Sequence, residues 1–110
     1  MAINTIVSQL EKAAEHFGQK TYLADKNDSG WNPISFDNTK NLSRCLASSL
    51  YHLGLNKGDH FAILSEGTSK WVISEFALLY NGVASVPLSV KLLEEELPFR
   101  LNHSKSKGIF

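Results

Sequence analysis

The chain has 110 residues, 43% of them apolar, and its eleven Lys and Arg are balanced by eleven Asp and Glu. That is room for one core-forming domain, and zero net charge excludes the clustered positive excess that nucleic-acid phosphates demand. No run approaches the roughly 18 apolar residues of a membrane span, Met1–Gln9 lacks the regions of a secretory signal, and the single Cys45 permits no internal disulfide, so a soluble, cytosolic protein is expected.

Thr5 caps a predicted helix whose apolar positions Ile6, Leu10, Ala13, Ala14 and Phe17 recur at three-to-four spacing, and Gly18 ends it. Thr21–Ala24 reads as a short strand, Asn27-Asp28-Ser29-Gly30 as a turn, and Trp31–Phe36 as the returning arm of a hairpin. Pro33 lacks an amide donor, which restricts that arm to a sheet edge or an irregular stretch. A second helix is predicted from about Asp37 to Leu53, with Leu42, Cys45, Leu46, Leu50 and Leu53 as its apolar stripe. Gly54 then suits a left-handed position, and Leu55 can fold back on the last turn.

Phe61–Leu64 is four apolar residues long, right for a buried strand. Thr68 or Ser69 caps a third helix in which Trp71, Val72, Phe76, Leu79 and Tyr80 are apolar on several sides. Gly82 stops it, and Ala84–Leu88 is the next strand. Glu94-Glu95-Glu96 opens a fourth helix, placing negative charge at the positive end of its dipole. Pro98 requires that helix to start near Glu95 or to kink. Gly108-Ile109-Phe110 begins a further strand, which the natural chain is expected to continue. A hairpin followed by strand–helix–strand–helix–strand predicts an α/β fold with parallel strands, in one piece over residues 1–110.

Few residues carry chemistry. Gly67-Thr68-Ser69-Lys70 lies between a buried strand and a helix, where free amides can hold an anion, but it lacks the first glycine of a Walker loop. An ordinary cap with a solvated lysine is the plainer reading. Ser65 and Glu66 follow the carboxyl end of a parallel strand, where ligands of open α/β sheets bind. Trp71 can line an acyl pocket or pack its helix on the sheet. His16, His52, His60 and His103 lack metal-site spacing, Cys45 reads as a buried inert thiol, and the three glutamates read as a solvated first turn. The Asn-x-Ser sequons at Asn27, Asn41 and Asn102 read as chance matches. No catalytic, cofactor-binding or metal-ligating residue is assigned, and Ser65, Glu66 and Trp71 stand as substrate-binding candidates.

Five ordered pieces resemble one family. They are Trp31-Asn32-Pro33-Ile34-Ser35-Phe36 with Leu42, Leu46 and Ala47; Leu53-Gly54-Leu55-x-Lys57-Gly58-Asp59-x-Phe61-Ala62-Ile63; Ser65-Glu66 with Trp71-Val72-Ile73; Gly82-x-x-x-Val86-Pro87; and Leu101-Asn102-His103-Ser104-x-x-Lys107. Together they resemble the early region of adenylate-forming enzymes, most closely long-chain acyl-CoA synthetases. Gly67, where the family usually has asparagine, and Pro98 inside the last helix depart from its pattern.

The resemblance implies the N-terminal part of the large domain of the acyl-CoA synthetase-like fold. It implies a parent ligase that uses ATP and Mg²⁺ to make an acyl-adenylate from a fatty acid and then transfers the acyl group to coenzyme A. The phosphate loop ending in Pro-Lys-Gly and the catalytic lysine are expected beyond Phe110. This stretch would then be scaffold, inactive alone, partnered by the rest of the enzyme and, in isolation, prone to form dimers or larger oligomers. The parent is expected in the cytoplasm, with peripheral membrane attachment left open. Two other readings are a free-standing α/β interaction module and an independent nucleotide binder using Gly67–Lys70.

Overall fold

The computed structural model describes residues 4–110; Met1–Ile3, part of the segment read for an export signal, lie outside them. Thr5 starts α1 (Ile6–Phe17) with a reciprocal cap: its Oγ1 accepts from Ser8 N–H at 3.0 Å, and its own N–H donates to Ser8 Oγ at 2.8 Å. Of the predicted stripe, Leu10 and Ala14 are buried, while Ile6 and Phe17 at the helix ends stay exposed. The hairpin follows as β1 (Thr21–Asn27) and β2 (Gly30–Ser35), a two-stranded antiparallel sheet. Its turn is held by Asn27 Oδ1, which accepts from Ser29 N–H at 2.9 Å and from Ser29 Oγ at 2.8 Å. Pro33 is tolerated because both strands of a two-stranded sheet are edges.

Helix α2 (Phe36–His52) corrects the predicted stripe. Its buried face is Thr39, Ser43, Ala47 and Leu50, whereas Leu42 is 49% exposed, Leu53 is 83% exposed and Cys45 lies at the surface. Thr39, Ser43 and Ala47 are spaced by four residues and are small, which lets α1 and α3 (Ser69–Tyr80) approach α2 closely. The two hydroxyls are not stranded by burial. Thr39 Oγ1 donates to Ser35 O at 2.9 Å and Ser43 Oγ to Thr39 O at 2.7 Å. Reading hydrophobicity alone hides a face chosen for size.

Two helices end the same way. At the end of α2, Leu55 N–H donates to Leu50 O and Gly54 N–H to Tyr51 O, with Gly54 at φ 100°. At the end of α3, Val83 N–H donates to Leu78 O and Gly82 N–H to Leu79 O, with Gly82 at φ 69°. Both are Schellman closures, and both tuck the next apolar residue, Leu55 or Val83, into the core. That core comprises Ala47, Leu50, Leu55, Ile63, Ala77, Leu78 and Val83, with Trp71, Phe61 and Phe110 packed against it.

The parallel sheet has order β4-β3-β5, with β3 (His60–Leu64) central, β4 (Ala84–Leu88) on one side and β5 (Ser106–Ile109) on the other. Phe110 extends the ladder: its N–H donates to Ala62 O at 2.9 Å, and its O accepts from Leu64 N–H at 3.1 Å. Between β4 and β5, Glu94–Glu96 form a 3₁₀ turn and α4 runs Leu97–His103. The regular helix thus begins two residues after the predicted Glu95. Pro98, at its first turn, costs no hydrogen bond there.

Candidate functional site

In a strand–helix–strand unit the helix runs back against its strands, so the two edges of the sheet differ electrostatically. Helix N-termini collect at the carboxyl edge and helix C-termini at the amino edge. This chain places its charges accordingly. At the amino edge, Lys107 Nζ donates to Gly54 O, just past α2, at 2.7 Å. His60 Nδ1 lies 2.7 Å from Ser104 O, just past α4; a carbonyl only accepts, so the ring carries a proton on Nδ1. Asn81 Nδ2 donates to Ala47 O at 2.8 Å and ties the end of α3 to α2.

At the carboxyl edge the positive end of α3 meets Asp25, from the hairpin. Asp25 Oδ1 accepts from Ser69 N–H at 2.9 Å, and Oδ2 accepts a second, short bond from Ser69 Oγ. Ser69 is buried at 6% exposure, and Thr68, at the N-cap position, makes no side-chain cap bond. Asp25 therefore caps the helix from 44 residues away. The Ser69 hydroxyl, then the Ser69 amide, and more weakly the charge of Lys70 hold the Asp25 carboxyl below its ordinary 3.8.

The anion-ready loop at Gly67–Lys70 is thus filled by the protein's own carboxylate, and a phosphate entering there meets a like charge. The plainer reading of an ordinary capped helix end with a solvated Lys70 is the one that fits, except that the capping side chain is Asp25 and not Thr68 or Ser69. Sequence inspection passes over Asp25 because its partner is distant; its one local signal is an acidic residue on a strand position that faces inward, beside half-buried Leu23.

The three substrate-binding candidates do not converge on one pocket. Ser65 is half-buried and its Oγ donates to Glu66 O at 3.1 Å; the Glu66 side chain is exposed. Trp71 packs partly buried against the core and, with Leu23, Asp25, Ser69 and Val72, lines an open depression of about 260 Å³ between the hairpin and α3. His16, His52 and His103 lie exposed on separate elements, and no group of three or more His, Cys, Asp or Glu gathers as a metal site among the described residues. No helix among them is long and apolar enough to cross a membrane.

A β1–β2 hairpin, a three-helix layer and a parallel β4-β3-β5 sheet are the arrangement found in the N-terminal subdomains of adenylation enzymes. The N-terminal subdomain of Klebsiella oxytoca NpsA superposes with a TM-score of 0.87 at 19% identity, over 98% of this chain and 27% of that one. O-succinylbenzoate coenzyme A synthetase from Bacillus subtilis superposes with a TM-score of 0.82 at 26% identity, over 91% of this chain and 25% of that one.

Residues 10–110 match the AMP-binding enzyme family, and the chain belongs to it. It is 29% identical over 105 residues to 3-[(3aS,4S,7aS)-7a-methyl-1,5-dioxo-octahydro-1H-inden-4-yl]propanoyl:CoA ligase of Rhodococcus jostii, covering 96% of this chain and 20% of the relative. It is 31% identical over 88 residues to fatty acyl-CoA synthetase A of Dictyostelium discoideum, covering 80% of this chain and 13% of the relative. The chain spans a fifth or less of the length of these curated relatives.

Proposed function

We propose that this chain is the leading part of the large domain of an ATP-dependent acyl-CoA ligase, in which it serves as scaffold. The observation that carries the reading is the family match across residues 10–110, supported by relatives whose names are those of CoA ligases. The parent would use ATP and Mg²⁺ to convert a carboxylate to an acyl-adenylate and then load coenzyme A. We assign its acid to the long-chain fatty acids. Ser65-Glu66, Trp71 and Asn102-His103-Ser104 support this, as do the Dictyostelium fatty acyl-CoA synthetase and a rat long-chain-fatty-acid–CoA ligase 30% identical over 78 residues.

Within the chain, Ser65, Glu66 and Trp71 are the proposed points nearest an acyl substrate, at the carboxyl edge of β3 and the first turn of α3. The scaffold role is supported by the filled end of α3, since adenylation needs donors free for phosphate. Alone, the chain should associate through exposed apolar residues such as Trp31, Leu53 and Phe99.

The test is ATP–pyrophosphate exchange with Mg²⁺ and acids of graded length. It is run on this chain and on the whole protein encoded by its gene. Exchange only by the whole protein, strongest with long-chain acids, is expected. Exchange by the 110-residue chain, lost on Lys70→Ala, overturns the scaffold role. A preference of the whole protein for short or aromatic acids overturns the substrate assignment.

A further inference from the structure

The hairpin is its own sheet, separate from β4-β3-β5, and none of its residues is fully buried: Leu23 and Asp25 of β1 and Gly30, Ile34 and Ser35 of β2 are half-buried, and the rest are exposed. Its base is anchored by backbone bonds, Phe36 N–H to Lys20 O at 3.1 Å and Asp37 N–H to Gly18 O at 3.0 Å. Its tip, Asp28–Ser29, is exposed. Between base and tip, the two bonds from Ser69 to Asp25 fasten it to α3, and beside them lies the open depression reaching Trp71 and Val72. An element fixed at one end, bonded at one midpoint and underpacked around that bond has the build of a low-stability unit on a stable core.

We infer that the β1–β2 hairpin is a flap latched by Asp25, and that its release uncovers the N-terminus of α3 and the Trp71 side of that helix without unfolding the sheet. The opening swaps two bonds to Asp25 for water and leaves the core of Ile63, Ala77 and Leu78 untouched. Charge is consistent with a latch. Asp25 faces the Ser69 amide and hydroxyl, and the charge of Lys70 acts on it weakly, so the closed state favours the ionised carboxylate.

Native-state hydrogen exchange on the 110-residue chain, at a concentration where light scattering finds it monomeric, tests this. In the wild type, the paired amides of β1 and β2 should exchange through an opening with weaker denaturant dependence than that of Ala62, Ile63 and Leu64 in β3. Asp25→Asn, which keeps the shape and removes the charge, should speed exchange in residues 21–35 and at Ser69 several-fold while β3 exchange stays unchanged. Asp28→Asn at the tip should change neither. Equal denaturant dependence for hairpin and β3 in the wild type overturns the flap, a result that stands even if the variant folds poorly. Acceleration of hairpin and β3 alike by Asp25→Asn, or of neither, overturns Asp25 as its latch.

Discussion

Lys107 and Asp59, 48 residues apart, meet at the amino edge of the sheet with Nζ 3.1 Å from Oδ2. The same Asp59 oxygen accepts the Asn56 amide at 2.7 Å, and the same Lys107 head donates to Gly54 O at 2.7 Å. One ion pair therefore closes the turn after α2 and fastens β5 beside β3. A half-exposed pair is worth little by charge alone, so its use here is to set position.

Acid should unfold the chain partly through this corner. The Asn56 amide first, then Lys107, hold the Asp59 carboxyl below its ordinary 3.8, and Asp25 is lowered too. Carboxylates lowered in the folded state contribute stability that is present above 3.8 and is lost as pH falls below that through their folded values. Urea midpoints between pH 2 and pH 6 should therefore fall at the acid end, and Asp59→Asn should flatten that fall. An unchanged acid limb in the variant would show that Asp59 titrates as in the unfolded chain.

The inner face of α2 should respond to size. Ala47→Leu adds volume where α2 meets its neighbours and should cost about 1–3 kcal/mol by denaturant titration. Leu42→Lys, on the exposed face, should stay within about 0.5 kcal/mol of wild type. Cys45, which is exposed, should react with a thiol reagent in the native protein as fast as in denaturant, to within the reagent's normal variation. A protected Cys45 would restore the stripe first read from the sequence.

Gly108 is required for contact rather than for backbone freedom. A Cβ there would overlap the ring of Phe61, which itself lies 4.8 Å from Phe110 between ring centroids. Gly108→Val should cost about 1–3 kcal/mol and loosen β5 from β3. Thermal melts and loss of β3–β5 cross-peaks by NMR would report it; a neutral substitution would mean the ring moves freely aside.

Tyr80 joins three helices. Its hydroxyl donates to Glu11 Oε1 at 2.7 Å, and Arg44 Nη1 lies 4.0 Å from that same oxygen. Burial first, then the Glu11 bond, hold the phenol above its ordinary 10. A raised folded value gives stability that is fully present below pH 10 and lost as pH climbs above that through the folded value. Tyr80→Phe should cost about 0.5–1 kcal/mol near neutral pH and remove part of that alkaline loss. Equal alkaline midpoints for the two proteins would contradict the bond.

Where punctuation was local, the fold was legible. Gly18, Gly54 and Gly82 end helices where their position in the apolar pattern requires, and β4 occupies the predicted Ala84–Leu88. β3 gains only His60 at its start, while β1 runs on to Asn27, three residues past the predicted end. Two readings fell short for one reason. Of the α2 stripe, Leu50 is buried and Leu46 packs on the core as expected, but the rest of the buried face is Thr39, Ser43 and Ala47, small residues whose hydroxyls, in the first two, are satisfied locally and which a hydrophobic tally discards. The end of α3 is capped by Asp25, a partner that no window of neighbouring residues includes. Properties set by contact across the fold are absent from periodicity.

The sheet order has a consequence for the newborn chain. β3, the middle strand, is the first of the three to be made, and β4 pairs with one side of it soon after. Its other side has no partner until Ser106–Ile109 leave the ribosome, so His60–Leu64 spends that interval as an open template of largely apolar composition. Stalling or proteolysis before Ser106 should therefore produce sticky, half-sheeted chains, while a few further residues should close that side.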